Sequence, residues 1–192
     1  ETYETIPDSG GPGKNRGGNG IRMAYRFLED GRISIHDDRW LTYPWGVNGG
    51  LPGGRGSKRL VRADGTEEVL PAKCDGIDVR AGDLLYFDTW GGGGAGDPLE
   101  REPERVAKDV QRGLVTVAGA RRYGVVCNEA GEIDLAATEA LRDRMRAERG
   151  EIRLFDKGGT IEEIKARCRE ETGLEPPRTP IFPRQARRAA AD

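Results

Sequence analysis

Histidine is nearly absent from this 192-residue chain, where His36 stands alone. That scarcity excludes histidine-rich metal sites and makes any Ser-His-Asp arrangement depend on one imidazole. Cysteine is sparse as well. Cys74, Cys127 and Cys168 are odd in number and far apart, which excludes a CxxC metal site and a disulfide framework. Free thiols fit a reducing, cytoplasmic setting. A charge imbalance is missing too: 31 Lys and Arg oppose 33 Asp and Glu, a formal net charge of −2. The chain therefore lacks the basic footprint of a nucleic-acid binder. No apolar run approaches the roughly 18–20 residues of a membrane span, and the opening ETYETIPDSG has neither the basic nor the apolar segment of a signal peptide. Apolar residues make up 35% and mean hydropathy is −0.69, against about 45–50% in a self-contained globule. That deficit implies burial completed against another chain.

What the sequence has in excess is glycine. Its 29 glycines are about twice ordinary usage, without a collagen-like triplet, and hydrophobic segments lie between them. Composition favours a flexible linker over Pro7–Gly20 (PDSGGPGKNRGGNG), although an ordered, packed loop would use the same residues. A β-rich section follows. Ile21–Leu28, a turn at Glu29-Asp30-Gly31 and Arg32–His36 predict a hairpin, with Ile21, Met23, Tyr25 and Phe27 on one face. A long aromatic and glycine loop, WLTYPWGVNGGLPGGRGS, precedes strands expected at 58–62, 67–70 and 83–89. After Trp90-GGGGAGDP the character changes to helices: 103–112 with Pro103 in the first turn, 117–122, 134–148 capped by Asp134, and one from Thr160, whose Thr-Ile-Glu-Glu forms a capping box ended by Gly173. Gly124–Cys127 reads as a short strand, and Leu135, Thr138, Leu141 and Met145 as the buried stripe of the 134–148 helix. The expected architecture is α+β: a glycine-rich antiparallel β region (1–100), short C-terminal helices (101–173) and an extended proline-rich tail (174–192).

Four sets of residues invite a chemical reading. TWGGGGAGDP lacks the Gly-Lys-Ser/Thr of a phosphate loop. Gly91, Gly93 and Gly96 fit a dinucleotide spacing, but Pro98 and about half a dozen residues separate them from the next helix. A tight glycine loop packed against backbone accounts better for them. His36-Asp37-Asp38-Arg39 is the densest ionisable set; adjacent strand residues point to opposite faces, so Asp37 and Asp38 do not share one ion, and organising the following loop accounts for Asp38 and Arg39 better than direct catalysis. Cys127 and Cys168 read as small buried hydrophobes, and the arginines of 121–149 as solvated helix faces.

Read in order, PDSGGPGKNRGGNG, DDRWLTYPWGVNGGLPGG, LPAK, GDLLYFDTWGGGGAGDPLERE and VAKDVQRGLVTVAGARRYGVV, with the EALRDRMR helix, resemble the C-terminal part of the hydantoinase B/oxoprolinase family. That family includes the B-type components of N-methylhydantoinases, 5-oxoprolinase and the alpha-type subunits of acetone and acetophenone carboxylases. The resemblance implies an enzyme subunit, inactive alone, of an ATP-dependent cyclic-amide hydrolase. The alternatives are a subunit of an ATP-dependent ketone carboxylase and a non-catalytic assembly module. It implies two partners, an A-type ATPase subunit holding ATP and Mg²⁺ and an N-terminal B-type part holding a divalent metal, with a small cyclic amide or ketone as substrate and neither nucleic acid nor membrane. This chain itself binds no cofactor alone on that reading. Asp38 and Arg39 are the expected catalytic contributors, and the backbone amides of Gly91, Gly92, Gly93 and Gly94 the expected cradle for an anion.

Overall fold

A computed structural model describes residues 1–178. Strands β1 (Thr2–Thr5), β2 (Ile21–Arg26), β5 (Ser57–Val61), β6 (Glu67–Val69) and β8 (Leu84–Asp88) form one antiparallel sheet in the order β1-β2-β8-β5-β6. Strands β3 (Gly31–His36) and β7 (Lys73–Val79) form a separate antiparallel ribbon, and β4 (Gly46–Val47) pairs with β9 (Phe155–Asp156). The ribbon and the large sheet share one core, built on Ile35, Leu60, Leu70, Val79 and Leu85 with Phe27, Ile33 and Phe87 around them.

The hairpin expected between β2 and β3 does not form. Phe27 donates its amide to the Asp83 carbonyl, Gly82 donates to the Phe27 carbonyl, and the Asp30 carboxylate accepts from the Ala81 amide. The Asp30-Gly31 step therefore carries the chain from one layer to the next. The alternation at Ile33 and Ile35 is satisfied equally by a hairpin partner or by a facing sheet, and here the facing sheet supplies it. On β2 the buried residue is Ala24, while Tyr25 lies largely in solvent.

Helices α1 (Pro103–Gln111), α2 (Val117–Ala120), α3 (Leu135–Glu148) and α4 (Ile161–Thr172) all lie in the second half. Val106 and Val110 of α1 enclose a second core with Val115, Ala120, Tyr123, Val125 and Cys127. Asp134 accepts from the Ala137 amide to cap α3, and Thr160 and Glu163 form the capping box of α4, which Gly173 closes in left-handed conformation. Gly124–Cys127 is not a strand; Cys127 makes a single bridge to Ile133. The α3 stripe is also narrower than its periodicity implies. Thr138 alone is buried, its hydroxyl accepting from the Val126 amide, and Leu135 is exposed. Cys127 and Cys168 are buried free thiols, as their packing role requires. Residues 174–178 carry no regular structure, and the rest of the expected tail lies outside the described residues. Among the described residues no helix is long and apolar enough to cross a membrane.

Candidate functional site

Pro7–Gly20 is an ordered part of the core, not a linker. Gly10 through Gly13, Gly17 and Gly20 are buried because three glycine-bearing segments pack backbone against backbone. Gly11 donates to the Gly92 carbonyl (2.8 Å), Gly92 to Gly18 (2.8 Å), Gly94 to Leu51 (2.9 Å), Leu51 to Pro12 (2.7 Å), Gly91 to Gly54 (3.2 Å) and Gly54 to Ser9 (2.7 Å). Contact this close leaves no room for a side chain. A β-carbon at Gly93 would overlap the Trp45 carbonyl, and one at Gly94 the Pro12 carbonyl. The polar backbone of these loops is satisfied by other loops, which replaces an apolar core with a lattice of main-chain hydrogen bonds.

The expected anion cradle meets this lattice directly. The amides of Gly91, Gly92 and Gly94 already donate to carbonyls, so Gly91–Gly94 do not present a converging set of free N–H groups. Their physical role here is close packing.

Asp38 and Arg39 lie elsewhere. With Trp40, Leu41, Thr42 and Lys73 they line an open groove of about 500 Å³ whose far wall carries Glu175 and Pro177, and none of Gly91–Gly94 lines it. Asp38 is exposed and pairs with Lys73 at 3.2 Å. Arg39 is exposed and adopts a left-handed backbone (φ 57°) that non-glycine residues rarely hold. Both aspartates lie just past the end of β3, so the loop that follows, not strand alternation, separates them, and Asp37 is the buried one. It forms an ion pair with Lys58, which is 1% exposed. Lys58 sits 4.4 Å from the centre of the Phe87 ring. Burial pushes its ammonium down to about 8, against the pull of Asp88. Nothing in the sequence marks Lys58 as internal, since a lysine at a strand position ordinarily signals the solvent face. His36 is exposed and pairs with Asp75 at 2.9 Å, holding that carboxyl below its usual range.

The loop beyond Arg39 is held by Arg55, which donates to the Trp40 carbonyl (2.8 Å) and to the Tyr43 hydroxyl and pairs with Glu171 of α4 at 2.7 Å. A second cavity, about 260 Å³, opens between the glycine lattice at Gly49–Leu51, the turn at Pro98-Leu99, and Met145 and Ile152. Among the described residues no three His, Cys, Asp or Glu side chains converge as a metal would require. The described residues do not fit a divalent metal, and the glycine loop, with the amides of Gly91, Gly92 and Gly94 occupied and no Gly-Lys-Ser/Thr step, does not fit a nucleotide phosphate.

Comparison with known proteins gives a consistent picture. The family model described as hydantoinase B/oxoprolinase matches residues 1–98. The B component of a putative D-/L-hydantoinase from a Pseudomonas species is 38% identical over 143 residues, covering 73% of this chain and 24% of the relative. The beta component of the caprolactamase from Pseudomonas jessenii is 33% identical over 151 residues, covering 73% of this chain and 25% of the relative. The crystal structure of the ATP-dependent caprolactamase from that organism superposes with a TM-score of 0.61 at 32% identity, over 74% of this chain and 26% of the other. A nucleotide-free acetone carboxylase structure shares the fold at TM-score 0.61 and 23% identity, over 88% of this chain and 27% of the other. The chain spans about a quarter of the length of these two curated relatives.

Proposed function

Because this chain belongs to the hydantoinase B/oxoprolinase family, we propose that it supplies the C-terminal portion of the B-type component of an ATP-dependent cyclic-amide hydrolase. The observation that carries this reading is the likeness to the ATP-dependent caprolactamase, in sequence and in fold together. The chemistry of such a reaction explains the need for ATP. An amide carbonyl is a poor electrophile, and phosphorylating its oxygen turns it into a good one, with the charge met by Mg²⁺ and positioned donors. On this reading the ATP and Mg²⁺ belong to an A-type ATPase partner and a divalent metal to the N-terminal B-type part.

The chain's own contribution is a wall of the reaction chamber. The glycine lattice fixes three loops, and the groove at Asp38 and Arg39 faces the partner. There Arg39 steadies developing negative charge and Asp38 orients Lys73. The work is done by side chains on a rigid frame.

Two other readings have support of their own. A ketone carboxylase subunit is compatible with the acetone carboxylase fold, and an assembly module with the low apolar content. The deciding experiment incubates the assembled complex with ATP and either a hydantoin or lactam, or a ketone with labelled bicarbonate. Ring opening coupled to ADP release is the expected result; label in an organic product overturns the hydrolase. Asp38→Ala and Arg39→Ala should each lower turnover by about 10²-fold with assembly intact, the scale of losing one charge-stabilising group. Unchanged turnover in both would leave the assembly module.

A further inference from the structure

Two buried cations, Lys58 and Arg55, sit behind the groove and do not reach it, yet both grip the loop that forms its lip. We propose that the segment Arg55–Lys58 is a positioning template for residues 37–43, holding Asp38 and Arg39 in one outward-facing conformation. The inference rests on the place given above to Asp38 and Arg39.

The contacts run in antiparallel order along the two segments. Lys58 pairs with Asp37, Gly56 donates its amide to the Arg39 carbonyl (3.1 Å), and Arg55 reaches Trp40 and Tyr43. The loop is also tied from below, where the Asp37 amide donates to the Ala72 carbonyl (2.8 Å). Gly56 is also tightly enclosed, since a β-carbon there would stand 3.1 Å from the Asp88 carbonyl and 3.2 Å from the Lys58 ammonium. Arg55 holds its own orientation by stacking on the Tyr43 ring at 4.6 Å and pairing with Glu171. Folding stability alone gives no reason for this arrangement. A buried ion pair roughly breaks even against an apolar pair of the same shape, whereas a planar guanidinium with several fixed acceptors sets geometry. The left-handed backbone at Arg39 is a second sign, since such conformations persist where surrounding contacts over-determine them. Lys58 and Arg55 are thus positioning residues, acting through Asp38 and Arg39.

The test combines Asp37→Leu with Lys58→Met, removing both charges of the pair together, and makes Arg55→Lys separately, keeping the charge but losing the fork. Hydrogen exchange is measured on the full chain within its complex, with turnover in parallel. The expected result in both variants is at least tenfold faster exchange at the Asp37 and Gly56 amides, with the Leu60 amide of β5 unchanged. Turnover should fall at least tenfold in kcat at an unaltered KM for ATP. Unchanged protection at Gly56 in both variants overturns the template. Lost protection with normal turnover upholds the template and removes Asp38 and Arg39 from the reaction. If the double variant does not fold, Arg55→Lys decides alone, because Glu171 leaves its ammonium a partially exposed partner.

Discussion

At the scale of single residues, the glycines divide into those whose missing side chain is required and those where it is incidental. Gly94 is of the first kind: a β-carbon would overlap the Pro12 carbonyl, a backbone atom fixed by its own bond from Leu51. Gly18 is of the second, exposed and with nothing within 4 Å of an added carbon. Gly94→Ala should therefore destabilise by about 3 kcal/mol or more, the upper end of overpacking costs. Gly18→Ala should stay within about 0.5 kcal/mol of the parent. Thermal unfolding of the pair checks this, and equal effects would remove the lattice as the reason for the glycines. In sequence the two are indistinguishable, because composition records a glycine but not what lies against it.

At the scale of elements, the start of β8 is fixed by one buried carboxylate. Burial works to raise the pKa of Asp83, but the amides of Arg80 (3.0 Å) and Ala63 (3.0 Å) and the Arg62 guanidinium (3.1 Å) outweigh it and hold the carboxyl below its usual range. These bonds tie the β5–β6 turn to the entry of β8. A depressed carboxylate adds stability above its unfolded pKa of about 3.9 and loses it as pH falls through the lower folded value. Asp83→Asn should cost about 1–3 kcal/mol near neutrality, the penalty of unsatisfied buried donors. The gap to the parent should close as pH drops below about 4. Urea titrations at several pH values measure it; a gap independent of pH would show that the charge is not what the site uses. The Asp64-Gly65 turn joining β5 to β6 was legible in sequence, and so were the caps at Asp134 and Thr160, since each depends on residues within one turn. The β2–β3 pairing was not, because alternation at Ile33 and Ile35 specifies a buried face without specifying which strand lies beside it.

At the scale of the whole molecule, the β-rich and helical halves are joined through Asp109 of α1. It receives Arg16 from the N-terminal glycine loop at 3.3 Å and Arg101 at 2.7 Å, and Arg101 in turn donates to the Lys14 carbonyl at 3.0 Å. Asp8 adds a second tie, accepting from both the amide (3.0 Å) and the hydroxyl (2.6 Å) of Thr116 at the head of α2. Removing one partner from a buried charge cluster costs about 3–5 kcal/mol. Asp109→Asn should therefore lower the stability of the whole chain by that order. Tryptophan fluorescence, which reports only on Trp40, Trp45 and Trp90, and helical circular dichroism should shift together. A variant in which the fluorescence transition stays in place would show that the halves unfold independently.

Near neighbours and residue type were enough for the helix caps, a polar chain short of apolar material, one histidine, and ordered glycine motifs specific enough to mark a family. Which strands pair, that Pro7–Gly20 is core, that Asp37 is inside while Asp38 is outside, and that Lys58 is enclosed beneath them became visible only with the chain folded. Local hydrogen bonds are fixed by residues a few positions apart, whereas a glycine lattice and a buried ion pair are settled by chain segments that meet across tens of residues, and no pattern within either segment encodes its partner.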